Sequence, residues 1–219
     1  MLCELFSECV SIKYDNTGVS ANYTVRRSGD TLRIFFEASD GAADWRRNLD
    51  FPIKPYKRMG KTVWLAHRGF LRTWKELEPV LVGDISDKSI HKIIVVGYSH
   101  GAAIALLCHE YIWYMRPDLR ETLDGYGFGC PRVIWGVPSA ETRRRWARFN
   151  VVRNIDDIVT HLPPSFIGYT HVGKLIEIGE RGKYSNVDAH RADNIMAELL
   201  HRERGTYTFI SKKSGVTGA

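Results

Sequence analysis

Apolar positions along the chain recur with two periods. Residues 21–27 and 31–37 alternate or cluster apolar side chains on either side of Ser28-Gly29-Asp30, which predicts a β-hairpin. A further strand is predicted over 62–66. Phe70, Trp74, Leu77 and Leu81 follow helical spacing, and Pro79 within that run predicts a kink or an early end. The β-branched run Ile93-Ile94-Val95-Val96 predicts a strand over 91–97, and the small and straight-chain residues from Ala102 onward predict a helix from about 100 to 115. Short strands follow over 123–128 and 150–153 with helical sequence between them. A late strand over 172–178 precedes a closing amphipathic helix over 189–200, with Ile195, Met196, Leu199 and Leu200 as its apolar positions. An early hairpin followed by alternating strands and helices predicts an α/β fold, a mixed, mostly parallel sheet with helices on both faces.

Composition narrows the class. With 219 residues, 44% of them hydrophobic and 26% charged, the chain fits one globular domain spanning 1–219. No repeat, low-complexity segment or long linker interrupts it, and no apolar run reaches the length of a membrane span. The first nine residues carry two acids and no basic stretch, unlike a signal peptide, so the expected compartment is the cytoplasm. There the four cysteines would be reduced; in an exported protein Cys3 and Cys9 could pair. The net charge is +6, with a local basic run at Arg143-Arg144-Arg145 and at Arg148. No nucleic-acid-binding module accompanies the charge. The run is expected to cover a solvated helix face with Trp146 and Ala147 turned inward, and it allows a weak attraction to anionic lipid surfaces.

The candidate chemistry sits between the strand over 91–97 and the helix after it, in Gly97-Tyr98-Ser99-His100-Gly101. A G-x-S-x-G pentapeptide in a tight strand-to-helix turn is a nucleophile elbow, whose first and last positions leave little room for side chains. It exposes the serine over the sheet edge beside a helix N-terminus that favours negative charge. Ser99 is therefore the candidate nucleophile; its bland alternative is a helix-capping serine.

A serine of this kind needs a base and an acid, which follow it in chain order in this type of fold. The acid is expected just beyond a later strand, where Asp156 and Asp157 stand side by side and spacing does not choose between them. Of the later histidines, His161 precedes a stiff Leu162-Pro163-Pro164 turn, His171 enters a strand and His201 ends a helix. His190, after the loop 179–188 and at the start of the closing helix, can lean over the sheet edge and is the candidate base. No histidine, cysteine and acid spacing suggests a metal site, and this chemistry calls for no cofactor.

These residues resemble the class 3 lipase family of fungal-type triacylglycerol lipases and their bacterial relatives, over about 31–195. The family's F-R-G-T-x-S-x-x-D-W segment is matched by Phe36-Glu37-Ala38-Ser39-Asp40-Gly41-Ala42-Ala43-Asp44-Trp45, and its H-x-G-F by His67-Arg68-Gly69-Phe70. Its F-G-x-P-R-V is matched by Phe128-Gly129-Cys130-Pro131-Arg132-Val133, and its acid motif by Asp157-Ile158-Val159-Thr160-His161-Leu162-Pro163-Pro164. The resemblance implies an α/β-hydrolase fold, Ser99 as nucleophile, Asp157 as the acid and His190 as the base. It implies an oxyanion hole from Ser39 and the backbone N–H of His100, and it makes His171 a family histidine that is not the base.

Three departures stand out. Tyr98 and His100 flank the serine where the family usually has histidine and leucine. Glu37-Ala38 replaces the Arg-Gly pair of the oxyanion segment. The stretch 43–48, at the place of the family's lid, is very polar apart from Trp45, so weak interfacial activation is expected. The implied activity is carboxylic ester hydrolysis, on acylglycerol-type or other fatty acyl esters. The same residues would serve a phospholipase, thioesterase or acyltransferase, and an inactive binding protein of this fold is the non-enzymatic alternative.

Overall fold

The computed structural model describes residues 1–16, 21–38, 52–58 and 61–214. In chain order its elements are α1 (Leu2–Ser11), β1 (Tyr23–Ser28), β2 (Thr31–Phe36), β3 (Ile53–Arg58), β4 (Lys61–His67), α2 (Arg68–Ser86), β5 (Lys92–Tyr98), α3 (His100–Met115), β6 (Leu123–Phe128), β7 (Ile134–Trp135), α4 (Ala140–Arg144), β8 (Phe149–Asn154), β9 (Tyr169–Thr170), β10 (Lys174–Ile178) and α5 (Ala192–Ser214). The main sheet has the order β1-β2-β5-β6-β8-β10. Its first pair is the antiparallel hairpin, closed by Gly29 at φ 61°, and every later pairing is parallel.

Side chains alternate across this sheet and build two cores. Leu32, Ile34, Phe36, Ile93, Val95 and Val151 point to the face covered by α2 and α3. Phe35, Val96, Phe128, Val152 and Ile178 point to the other, where they meet Leu5 and Phe6 of α1 and Ile195 and Leu199 of α5. Helices on both faces of a mostly parallel sheet are the architecture expected from the pattern. Every residue of α3 from Gly101 to Ile112 is buried, because this helix is enclosed by the sheet and α2.

Four expectations change. The helix α2 runs through Pro79 to Ser86. Pro79 lies on the solvent face, opposite buried Trp74, Leu77 and Leu81, where water can satisfy the carbonyl that loses its donor. Between β6 and β8 only the short α4 forms, together with β7, which joins a second antiparallel sheet in the order β3-β4-β7-β9. Beyond α4, Trp146 is buried but Ala147 is exposed, because the helical period stops at Arg144. Leu200 of α5 is also exposed, at 42%. The four cysteines are free, so Cys3 and Cys9 do not pair.

Candidate active site

A single residue, Ser99, separates the end of β5 from the start of α3. Its backbone takes φ 56° and ψ −121°, the one positive φ outside glycine among the described residues. Such a conformation costs about 1–3 kcal/mol and persists only where the surroundings impose it. Here they do. A Cβ on Gly97 would lie 2.2 Å from the Gly101 carbonyl oxygen, and one on Gly101 would lie 2.3 Å from that of Phe36. The Ser99 N–H donates to the Phe128 carbonyl at 2.9 Å, tying the turn to β6. Ser99 makes no side-chain capping bond to α3, so its hydroxyl is spent elsewhere.

The hydroxyl meets His190. Oγ of Ser99 lies 2.8 Å from Nε2 of His190, and Nδ1 of His190 lies 2.7 Å from Oδ2 of Asp157. Ser99, His190 and Asp157 are all buried, Asp157 completely. A carboxylate offers only lone pairs, so Nδ1 carries the ring proton and Nε2 presents its lone pair to the serine hydroxyl. The other carboxylate oxygen of Asp157 accepts the Val159 N–H at 2.9 Å, which fixes the acid's rotamer at the start of a 3-10 turn, Ile158–His161. Asp156 turns to the surface and accepts the Gly182 N–H at 2.6 Å. Of the two adjacent acids it is Asp157 that reaches the histidine.

His190 belongs to a 3-10 turn, Asp188–His190, just ahead of α5 rather than to the helix itself. Two features hold its ring. Gly129, at φ +58°, clears the space, since a Cβ there would come within 2.7 Å of Cε1 of His190. Tyr98 stacks on the imidazole with ring centres 5.3 Å apart, and its hydroxyl donates to the His190 carbonyl at 2.5 Å. Burial pushes the Tyr98 phenol up, so it remains a donor. From sequence Tyr98 stood out only as a departure beside the serine. Its partner is 92 residues away, and no local signal reports it.

The remaining candidates separate. His100 opens α3, where the first N–H groups need no intrahelical acceptor and are available to an oxyanion. Its ring packs near Phe70, 5.5 Å between centres, and burial lowers its pKa to about 4, keeping it neutral. Ser39 and the stretch 43–48 lie outside the described residues. Glu37 turns away, accepting a hydrogen bond from the Asn22 amide at 2.6 Å. His171 donates from Nε2 to the Thr160 carbonyl at 2.8 Å, bracing the turn that carries Asp157. Arg132 grips the same turn from the other side, through the carbonyls of His161 and Pro163.

A parallel sheet with a strained serine elbow at the carboxyl end of its third strand in space, and a histidine and buried acid from later loops, defines an α/β-hydrolase. The model of the family described as Lipase (class 3) matches residues 33–167, and the chain belongs to that family. It is 29% identical over 182 residues to a lipase of Rhizomucor miehei, covering 78% of this chain and 49% of that one. It is 26% identical over 166 residues to the secreted mono- and diacylglycerol lipase 1 of Fusarium solani, covering 74% and 48%. The chain thus spans about half the length of these relatives. Among solved structures it resembles a triacylglycerol lipase whose catalytic centre is a serine protease triad, with TM-score 0.64 and 28% identity over 77% of this chain and 66% of that one.

These relatives correct one expectation. The Fusarium solani enzyme is secreted by name, and the cytoplasmic assignment does not stand. The acidic first residues that prompted it form α1, whose Leu5, Phe6 and Cys9 pack into the fold, and their composition says nothing of compartment. No helix among the described residues is long and apolar enough to cross a membrane.

Proposed function

We propose that this protein hydrolyses fatty acyl esters of the acylglycerol type through an acyl-enzyme. The observation that carries this reading is the continuous chain from Asp157 through His190 to a hydroxyl held on a strained elbow, with contacts of 2.7 and 2.8 Å. In the first half-reaction His190 Nε2 takes the Ser99 proton as Oγ attacks the ester carbonyl, then gives it to the leaving alcohol. Water repeats the sequence on the acyl-enzyme and releases the acid. Asp157 holds the imidazole in the required tautomer and stabilises the imidazolium. The His100 N–H, at the positive end of α3, and Ser39 are the proposed donors to the tetrahedral oxyanion. The net charge of +6 adds a weak, salt-screened attraction to anionic lipid surfaces.

A fluorophosphonate probe tests the reading, because it reacts with an activated serine and spares an ordinary one. Labelling at Ser99, located by mass spectrometry and lost in His190→Ala, is the expected result. An unlabelled wild-type protein would sink the proposal.

A further inference from the structure

At the opposite edge of the sheet from Ser99 lies a cleft of about 300 Å³. The helix α3 begins at the elbow and runs back across the sheet, so Trp113, near its far end, sits about 20 Å from His100 along the axis. Arg120, just after α3, Arg144 at the end of α4, and Arg145 and Arg148 between α4 and β8 line the cleft with Trp113 and His109. The guanidinium of Arg120 lies 3.8 Å from the centre of the Trp113 ring, and that of Arg145 lies 5.5 Å from it. Two guanidinium groups from two chain segments thus meet at the Trp113 ring, and Arg144 and Arg148 line the same cleft.

One buried donor in this cleft has no partner, Nε of Arg145; beside it His109 is 1% exposed, with the Leu123 and Arg145 backbone as the polar groups facing its ring. Unsatisfied buried polar groups are rare and costly, so each calls for an explanation. Two of these cations already hold an acid: Arg145 pairs with Glu110 at 2.6 Å, which also accepts from the Tyr56 hydroxyl at 2.7 Å, and Arg148 pairs with Asp124 at 2.7 Å. Glu121 lines the cleft too, leaving a positive balance among the lining residues. Arg144 makes no ion pair among the described residues.

We propose that this cleft is a binding site for a phosphate-bearing anion. A tetrahedral anion directs oxygens to several walls at once and suits guanidinium groups arriving from different segments. Burial lowers the His109 pKa to about 3, so the ring on the cleft floor is neutral and adds no further cation. The phosphate can belong to a soluble compound or to a lipid headgroup. The site stands independently of ester hydrolysis. It also lies on the far edge from Ser99, so a bilayer gripped there would not be presented to that serine.

Calorimetric titration of the full chain with inorganic phosphate tests the proposal. Saturable binding is expected, weakened about tenfold or more in Arg144→Gln/Arg148→Gln, two exposed positions whose loss should leave the thermal midpoint nearly unchanged. Arg26→Gln/Arg27→Gln removes the same charge elsewhere and should leave binding intact. Sedimentation with phosphatidylcholine vesicles containing phosphatidic acid then separates the sources. Co-sedimentation that free phosphate reverses and the cleft variant lacks assigns a lipid headgroup; phosphate binding without co-sedimentation assigns a soluble compound. No saturable phosphate binding, or equal weakening in the Arg26/Arg27 variant, overturns the proposal.

Discussion

Asp156 and Asp157 are neighbours in the chain and face opposite ways in space, one held by the Gly182 N–H at the surface and the other buried against His190. Replacing each with asparagine should separate them. Asp157→Asn keeps the shape but disturbs the histidine tautomer, and kcat should fall by about 10⁴-fold. Asp156→Asn should stay within about threefold of wild type, as exposed substitutions usually do. Comparable losses in both would contradict the assignment. Tyr98→Phe keeps the ring stacked on His190 and removes one hydrogen bond to its backbone. Steady-state kinetics should then show kcat lowered by roughly 5–10-fold with KM little changed, the worth of one net hydrogen bond in positioning the base. At this scale the sequence is legible where a local motif sets the backbone. Ser99, Gly97 and Gly101 announce a turn that the backbone then adopts. His190 could be chosen by its place after a loop. The choice between Asp156 and Asp157 depends on which way a non-periodic turn faces, and spacing carries no such information.

Pro79 bears on how far a local rule reaches. Inside a helix proline is about 3 kcal/mol worse than alanine, yet α2 continues past it because six buried apolar side chains, from Phe70 to Ile85, anchor the helix on both sides. Pro79→Ala should therefore raise the thermal midpoint by several degrees, part of the gain being offset by the freer unfolded chain. A lowered midpoint would mean that Pro79 has a packing role. The strong periods of α2, α3, β2, β5 and β8 were readable because each buries one face, or all faces, in a core. The second sheet was not, since β7 and β9 are two residues each and gain their pairing from distant strands rather than from a pattern of their own. The arginine run misled for a related reason: α4 ends at Arg144, and Arg145 leaves the solvent to pair with buried Glu110.

Over the whole molecule, besides His161, whose pKa partial burial also lowers, three deeply buried histidines are held neutral, with pKa values lowered to about 4 for His100, about 3 for His109 and about 4 for His171. In the unfolded chain each titrates near 6.5. Below that value the unfolded state takes up protons that the native state refuses, so stability falls as pH drops from about 6.5 towards 4. Each residue contributes up to about 3 kcal/mol of the loss. Thermal midpoints should be flat above pH 7 and decline steadily through pH 6 and 5. His100→Leu, which retains the backbone N–H, should soften that decline; an unchanged slope would show that His100 does not titrate on unfolding.

Ester hydrolysis by Ser99 is measured most directly with p-nitrophenyl esters from C2 to C16, wild type beside Ser99→Ala. Turnover that includes the long acyl chains and disappears with Ser99→Ala is the expected result. Turnover restricted to C2–C4 would contradict a fatty acyl substrate, and turnover that survives Ser99→Ala would remove Ser99 from the reaction.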